Sequence, residues 1–224
     1  GVGRATAIKL AALGIATAGQ LRDMPMKQAR GIGTVVLARL VAELNGIKAC
    51  PLELIAPTRK GMAVTRSFGS PVTSFETLMA AITQYAMRAG EKLRAADLVA
   101  ARMTVFFHTN SHKVGTPQHS ASRTVTLMPM TNDSLELVRA ARRAAESGWR
   151  DGHAYTKAGV MLDDLCPSAL RPQTLFEGDR SKNERLMTAL DAVNKTHGRF
   201  TATVATQGFK REWRARADMK SPAW

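Results

Sequence analysis

Segments that alternate polar and apolar side chains constrain the fold of this chain more than any other feature. In residues 63–69, Val64 and Phe68 fall on one side, and Thr65 and Ser67 fall on the other. That pattern is typical of a strand that packs on one face only. The alternation recurs in three later segments: residues 99–109, 120–128 and 155–165. The sequence therefore predicts four strands.

Two helices are predicted between these strands. Thr73 and Glu76 have the spacing of a capping box, and apolar residues then recur at helical spacing up to about Arg94. Asp133 introduces a second helix with the same kind of apolar stripe. The order βαββαβ predicts an α+β domain over residues 61–166. It resembles a ferredoxin-like or split βαβ sheet with both helices on one face.

The N-terminal residues 1–57 predict a small helical domain with two glycine turns. A Gly-x-Gly pattern precedes a helix at residues 1–3 and again at residues 31–33. Glycine accepts positive φ, and the N–H groups of the helix start can then face a phosphate. The predicted DNA contacts are Gly1, Gly3, Arg4, Gly31 and Gly33. The first turn resembles a helix-hairpin-helix element, and the alternative is a tight turn between packed helices.

Strand alternation also divides the predicted sheet into two faces. The face toward the helices contains Met103, Val105, Phe107, Val125, Leu127, Val160 and Leu162. The other face has hydroxyls and cations with almost no carboxylate: Thr65, Ser67, Arg102, Thr104, His108, Ser122, Thr124, Thr126, Tyr155 and Lys157. Arg66 is a further predicted DNA contact, although it and Arg123 fall on the apolar side and require a bulge or an edge strand. Such a face suits phosphates, and the alternative is an ordinary solvated face of an antiparallel sheet.

The net charge of the chain favours a polyanionic partner. Lysine and arginine number 32 against 18 aspartates and glutamates, which gives a formal net charge of +14 at pH 7. Nucleic acid is the first candidate. A membrane is not predicted, because no apolar run approaches the ~20 residues of a spanning helix. The cytoplasm is the expected location.

Catalytic and metal-binding residues are not predicted. His108, His112 and His119 lie in and beside one loop without a cysteine or acidic ligand among them. Asp163 and Asp164 are adjacent, but no further carboxylate completes a two-metal site. We therefore expect no cofactor in this stretch and no catalysis by it alone.

The C-terminal part is predicted as a linker, residues 167–183, followed by a partner-binding segment, residues 184–224. Asn183 precedes a short amphipathic helix, and residues 209–216 interleave aromatic and basic side chains. Three interpretations remain for the second stretch: stacking on bases, docking of a partner, or a loosely ordered tail.

Four stretches of the sequence resemble one known family: GVGR at 1–4, RSFG at 66–69, YAMRAGEKLR at 85–94 and YTKAGVML at 155–162. They resemble the UmuC group, the catalytic subunits of bacterial DNA polymerase V, which are Y-family translesion enzymes of the SOS response. The resemblance implies a thumb, a little finger that lays its sheet across duplex DNA, and a C-terminal segment. It also implies that a palm with magnesium-binding carboxylates precedes Gly1.

The resemblance implies partners as well: primer-template DNA, a UmuD′ dimer and the RecA filament. A sliding-clamp motif is only weakly matched by Gln173, Leu175 and Phe176, because the stretch is one residue short. The alternative function is a stand-alone nucleic-acid-binding module without a polymerase partner domain. The reading frame upstream of Gly1 distinguishes the two, since a polymerase would carry paired acidic motifs there.

Overall fold

The computed structural model describes residues 1–52, 54, 59–173, 177–208, 213–215 and 221. The chain divides into two compact units, Gly1–Thr58 and Arg59–Trp224. Among the described residues, no helix is long and apolar enough to cross a membrane.

The first unit contains three helices: α1 (Arg4–Ala11), α2 (Ala18–Arg22) and α3 (Met26–Leu44). Thr17 caps α2 in a capping box with Gln20, and Gly14 ends the turn after α1 with a φ of 74°. A small core holds the helices together: Leu10, Leu21, Met24, Ala29, Leu37 and Val41.

The second unit has the predicted α+β order. Its elements are β1 (Gly61–Val72), α4 (Phe75–Ala95), β2 (Leu98–Thr109), β3 (Ser120–Thr131), α5 (Ser134–Gly148), β4 (Tyr155–Pro167) and α6 (Ser181–His197). The prediction of βαββαβ is confirmed, with α6 as an addition. Two short 3-10 turns, Ser168–Leu170 and Ala205–Gln207, flank α6 along the chain.

The four strands form one antiparallel sheet in the order β1-β4-β2-β3. Both βαβ units are split: β1 and β2 run parallel with β4 between them, and β3 and β4 run parallel with β2 between them. Since β1 and β3 are the edge strands, they carry Arg66 and Arg123 at the edge positions that the sequence required.

The core lies between one face of the sheet and the helices α4 and α5. The apolar stripe of α4 is buried as predicted, at Leu78, Ile82, Tyr85, Ala89 and Leu93. The strand residues predicted to face the helices are buried too: Met103, Val105, Phe107, Leu127, Val160 and Leu162, with Val125 half-buried. Burial of these side chains supplies the main stabilisation of the unit.

The start of α4 differs from the prediction by one residue. Ser74, rather than Thr73, is the N-cap, and its hydroxyl accepts a hydrogen bond from the backbone N–H of Thr77 at 3.2 Å. The strand β1 ends at Val72, so Thr73 links the strand to the N-cap Ser74. Asp133 caps α5 by accepting from the N–H groups of Leu135 and Glu136.

Described residues after β4, in the ranges 168–173 and 177–208, pack against the helices, whereas the sequence predicted a linker over 167–183. Arg180 pairs with Glu136 of α5, and both Arg180 and Arg171 pair with Glu177. Met187 of α6 is buried, and its sulfur accepts from the N–H of Ser134 at 3.4 Å.

Candidate nucleic-acid interface

The face of the sheet that points away from α4 and α5, here called the outer face, consists of rows of paired residues. Directly opposed residues in antiparallel strands share a face. The rows are Ser67-Lys157-His108-Ser120, Thr65-Gly159-Phe106-Ser122, Ala63-Met161-Thr104-Thr124 and Gly61-Asp163-Arg102-Thr126. The structure therefore brings together seven of the predicted contacts: Thr65, Ser67, Arg102, Thr104, Ser122, Thr124 and Lys157.

The hydroxyl groups of the outer face differ in accessibility. Ser67, Ser122 and Thr124 are exposed, whereas Thr104 is buried in the middle of the sheet. The two hydroxyl oxygens of Thr104 and Thr124 lie 2.8 Å apart and share a hydrogen bond. Thr104 therefore orients Thr124 and offers little surface of its own to a ligand.

Arg102 is not a free cation, which corrects the expectation of a face almost without carboxylates. Its Nη2 atom donates to one carboxylate oxygen of Asp164 at 2.9 Å, and its Nε atom lies 2.8 Å from the other oxygen in an ion pair. Asp164 has a φ of 52°, in the left-handed region, so it leaves the regular strand and its side chain reaches Arg102. Asp163 lies in the same row as Arg102. With one cation and two carboxylates, this end of the outer face has no net positive charge.

Lys157 and His108 supply positive and polar character at the opposite end of the outer face. They are directly paired across β4 and β2, next to Ser67 on β1. Within the described part of the chain, Lys157 has no ion-pair partner, and it is half-buried. Its ammonium group therefore gives this end of the outer face a positive charge that no described carboxylate neutralises.

Arg66 lies on the other side of the sheet from Thr65 and Ser67. It is paired with the buried Ala158, and its side chain lines a recess beside Tyr85 of α4. Its Nη1 atom donates to the carbonyl oxygen of Thr65 at 2.9 Å. The strand period places Arg66 on the side of the helices, as the sequence predicted, and its role as a DNA contact stays a prediction.

Tyr155 was predicted on the outer face, and this prediction is wrong. A bulge at Thr156 adds one residue to β4, since Lys157 pairs with His108 and Tyr155 pairs with Thr109. The extra residue reverses the alternation. Tyr155 is consequently buried in the core, with its ring centroid 5.0 Å from that of Phe107.

Sequence reasoning missed an apolar patch at the centre of the outer face. Phe106 is half-buried there, Met161 is exposed, and the ring of Phe106 stacks on His108 at 6.5 Å with an angle of 12°. A Cβ atom at Gly159 would lie 2.7 Å from the Phe106 ring and 2.6 Å from Thr65. Gly159 therefore keeps the patch flat. The strand period places both apolar residues here, so the alternation itself was the signal for the patch.

The glycine turns of the first unit have a different geometry from the one expected. Gly3 has a φ of −83°, and the positive φ of 65° at the second turn falls on Thr34, not on Gly31 or Gly33. A Cβ atom at Gly33 would lie 2.6 Å from the Cβ of Leu37. Glycine is needed there for close packing at the kink of α3. Gly1, Gly31 and Arg4 are exposed.

Two histidines, His119 before β3 and His153 before β4, pack beside Tyr155. The Nδ1 atom of His119 lies 2.7 Å from the Tyr155 hydroxyl, and the ring centroids of His119 and His153 are 5.2 Å apart. Burial lowers the pKa of His119, and the positive charge of Arg150 lowers it further. Among the residues that the structure describes, no group of three or more His, Cys, Asp or Glu side chains is placed to hold a metal ion.

The predicted contacts in the C-terminal part lie only partly among the described residues. Gln173 is exposed, and Leu175 and Phe176 lie outside the described residues, as do residues 209–212 and 216. Trp213 is buried between Phe68 and Tyr85, at ring distances of 6.4 and 5.6 Å. Its ring is covered, so of the three interpretations of residues 209–216, stacking on bases does not apply to Trp213.

Comparison with protein families places two matches along the chain. Residues 59–175 match the C-terminal domain of the impB/mucB/samB family. Residues 184–224 match a domain of unknown function, DUF4113. The first match spans the whole βαββαβ unit, and the second begins within α6.

Several curated proteins are similar over the whole chain. Protein UmuC of Salmonella typhimurium strain LT2 is 37% identical over 226 aligned residues, which cover 100% of this chain and 54% of that protein. Protein SamB of Salmonella typhimurium is 36% identical, with 100% of this chain and 53% of the relative covered. Protein MucB of Escherichia coli is 34% identical, with 99% and 53% covered. The chain thus spans about half the length of these relatives.

Proposed function

The chain belongs to the impB/mucB/samB family, and from this premise we propose that it is the DNA-binding C-terminal portion of an error-prone translesion polymerase. In this proposal the second unit is the little finger and the first unit is the thumb. Both hold the sugar-phosphate backbone of a primer-template without reading its sequence. The observation that carries the proposal is the outer face, where predicted contacts from all four strands lie in adjacent rows.

The dimensions of the outer face suit a duplex. Neighbouring strands are ~4.8 Å apart, so four strands span about 14 Å between their outermost axes. The major groove of B-DNA is ~12 Å wide. A sheet laid across that groove therefore extends from one phosphate backbone toward the other. Strands also hold short side chains such as Ser67 and Thr124 in fixed positions, which favours simultaneous contacts.

The chemistry of the outer face favours backbone contact over base reading. Hydroxyl groups and a lysine donate hydrogen bonds to phosphate oxygens. Bidentate recognition of a base requires an unpaired Arg, Asn or Gln, and Arg102 is occupied by Asp164. The flat patch of Phe106 and Met161 adds apolar contact that does not depend on sequence.

The wider activity of the family is part of the proposal. Polymerase chemistry and its magnesium ions would reside in a palm that precedes Gly1, and the SOS response in the bacterial cytoplasm would be the setting. A UmuD′ dimer and the RecA filament are the proposed protein partners, for which the described residues give no contact positions. Clamp binding through Gln173 is not proposed, since the motif is one residue short.

Binding of duplex DNA of two unrelated sequences tests the proposal. Anisotropy titrations of the 224-residue chain should give dissociation constants that agree within about threefold, and affinity should fall steeply with salt. A strong preference for one sequence, or affinity that does not change with salt, would contradict backbone binding.

A further inference from the structure

A recess on the helix side of β1 concentrates positive charge away from the outer face. It lies between β1, α4 and the residues that follow α6, and its volume is about 490 Å³. Four arginines line it: Arg66, Arg88, Arg199 and Arg214. Such a cluster is the usual means of binding phosphorylated or acidic segments.

The positive charge of the recess is largely uncompensated. Arg88 pairs with Glu91, but Arg66, Arg199 and Arg214 have no carboxylate partner among the described residues. None of the described residues that line the recess is acidic. Grouping several guanidinium groups without counter-ions is unfavourable, so a bound anion would stabilise this arrangement.

Buried polar atoms without partners also line the recess. Tyr85 and Trp213 are only 3% and 5% exposed, and within the described part of the chain the Tyr85 hydroxyl and the Trp213 Nε1 have no hydrogen-bond partner. The side-chain oxygen of Gln84 is likewise unpartnered. Unsatisfied buried groups are uncommon in folded proteins. Here three such groups, the Tyr85 hydroxyl, the Trp213 Nε1 and the Gln84 oxygen, belong to residues that line one recess.

The turn at residues 213–214 contacts the edge of β1 beside this recess. The N–H of Gly69 donates to the carbonyl oxygen of Trp213 at 3.2 Å. A Cβ atom at Gly69 would lie 2.4 Å from the carbonyl oxygen of Arg214, so glycine permits this approach. Edge strands of this kind bind peptides by backbone hydrogen bonds.

We propose that the recess binds an extended acidic segment of a partner protein, whose carboxylates pair with Arg66, Arg199 and Arg214. Nucleic acid fits less well for two reasons. The rings of Tyr85 and Trp213 are covered, so they offer no face on which a base can stack. A phosphate backbone also has no N–H group for the oxygen of Gln84, whereas a peptide backbone does. This site is separate from the outer face and independent of DNA binding.

The test uses the 224-residue chain and a fluorescein-labelled peptide in which Asp alternates with Val. The variant Arg199→Ala with Arg214→Ala should weaken peptide binding at least tenfold. Both residues are exposed, so their truncation should leave the fold intact. The matched control, Arg139→Ala with Arg143→Ala on α5, removes the same charge and should change the affinity less than twofold.

A labelled single-stranded oligonucleotide serves as the competing probe. We expect its affinity to change equally in the two double variants. Three outcomes would overturn the proposal: no peptide binding by the parent chain, equal loss of peptide binding in both double variants, or a tenfold loss of oligonucleotide binding confined to the recess variant. The last outcome would identify the recess as a nucleic-acid site.

Discussion

The guanidinium of Arg94 on α4 donates two hydrogen bonds, of 2.6 and 2.7 Å, to the carboxylate of Asp191 on α6. The same guanidinium donates to the carbonyl oxygen of Asn132 at 2.6 Å and to the Ser134 hydroxyl at 3.0 Å. The two side chains of the ion pair are 13% and 28% exposed. One arginine therefore joins α4, the start of α5 and the region matched by the domain of unknown function.

Replacement of Asp191 by Asn should lower the free energy of unfolding by about 1–3 kcal/mol, because a charged hydrogen-bond partner is lost from a partly buried site. Urea unfolding followed by circular dichroism measures the change. The control is Glu146→Gln, which breaks an exposed pair with Arg142 on α5 and should cost about 0.5 kcal/mol or less. Equal losses for the two variants would show that Asp191 does not anchor α6.

Gly90 permits the close packing of α4 against the start of α5. A Cβ atom at this position would lie 2.5 Å from the Ser134 hydroxyl and 3.2 Å from the carbonyl oxygen of Asn132. Gly90→Ala should therefore destabilise the second unit by about 1–3 kcal/mol through overpacking. Thermal unfolding provides the measurement. Gly178→Ala, where a Cβ atom meets nothing within 4 Å, should be close to neutral, and an equal loss there would contradict this account.

Acid should destabilise the second unit in part through His119. Burial lowers the pKa of His119 below its ordinary value, so the unfolded chain binds the proton more tightly than the folded chain. The contribution of neutral His119 to the free energy of unfolding is complete above about pH 6.5. It is lost as the pH falls through the pKa that His119 has in the folded state. In His119→Gln, the melting temperature should fall less between about pH 7 and pH 5 than in the parent. His112→Gln, in the exposed loop, should keep the parental slope, and an unchanged slope in His119→Gln would refute this assignment.

Asp164 should restrain DNA binding by neutralising Arg102. Asp164→Asn frees the guanidinium on the outer face, so affinity for duplex DNA should rise. The slope of log K against log salt should become steeper by up to the amount expected for about one additional phosphate contact. Glu146→Gln makes the same charge change and frees Arg142 on α5. Anisotropy titrations compare the two variants. A similar gain in both would attribute the effect to net charge alone.

Much of the fold follows from the periodicity of the sequence. The spacing of Leu78, Ile82 and Leu93 predicts the buried face of α4, and the alternation through Met103 and Val105 predicts the core face of β2. These patterns are local and follow directly from backbone geometry. The position of Tyr155 does not follow, because one inserted residue at a bulge reverses the alternation without a signal in composition.

The candidate site was less predictable than the fold. Alternation places Lys157 beside His108 and Ser67, but the pairing of Arg102 with Asp164 depends on a left-handed backbone at a non-glycine residue. The pairing of Arg94 with Asp191 joins residues 97 positions apart, and the burial of Trp213 depends on a similar long-range contact. Such contacts have no local pattern, so the sequence predicted only a linker over residues 167–183 and left a loose tail as one of three interpretations of residues 209–216.

The salt dependence of duplex binding in two double variants tests the central claim most directly. Arg102→Ala with Lys157→Ala removes two cations from the outer face, and Arg139→Ala with Arg142→Ala removes two from α5. Each pair contains one arginine in an exposed ion pair, with Asp164 or with Glu146, so the two variants are matched in charge and in compensation. If the outer face binds DNA, the first variant should bind more weakly and lower the slope of log K against log salt by about 1, while the second stays near the parent. Equal losses in the two variants would contradict the account and leave net charge as the explanation of binding.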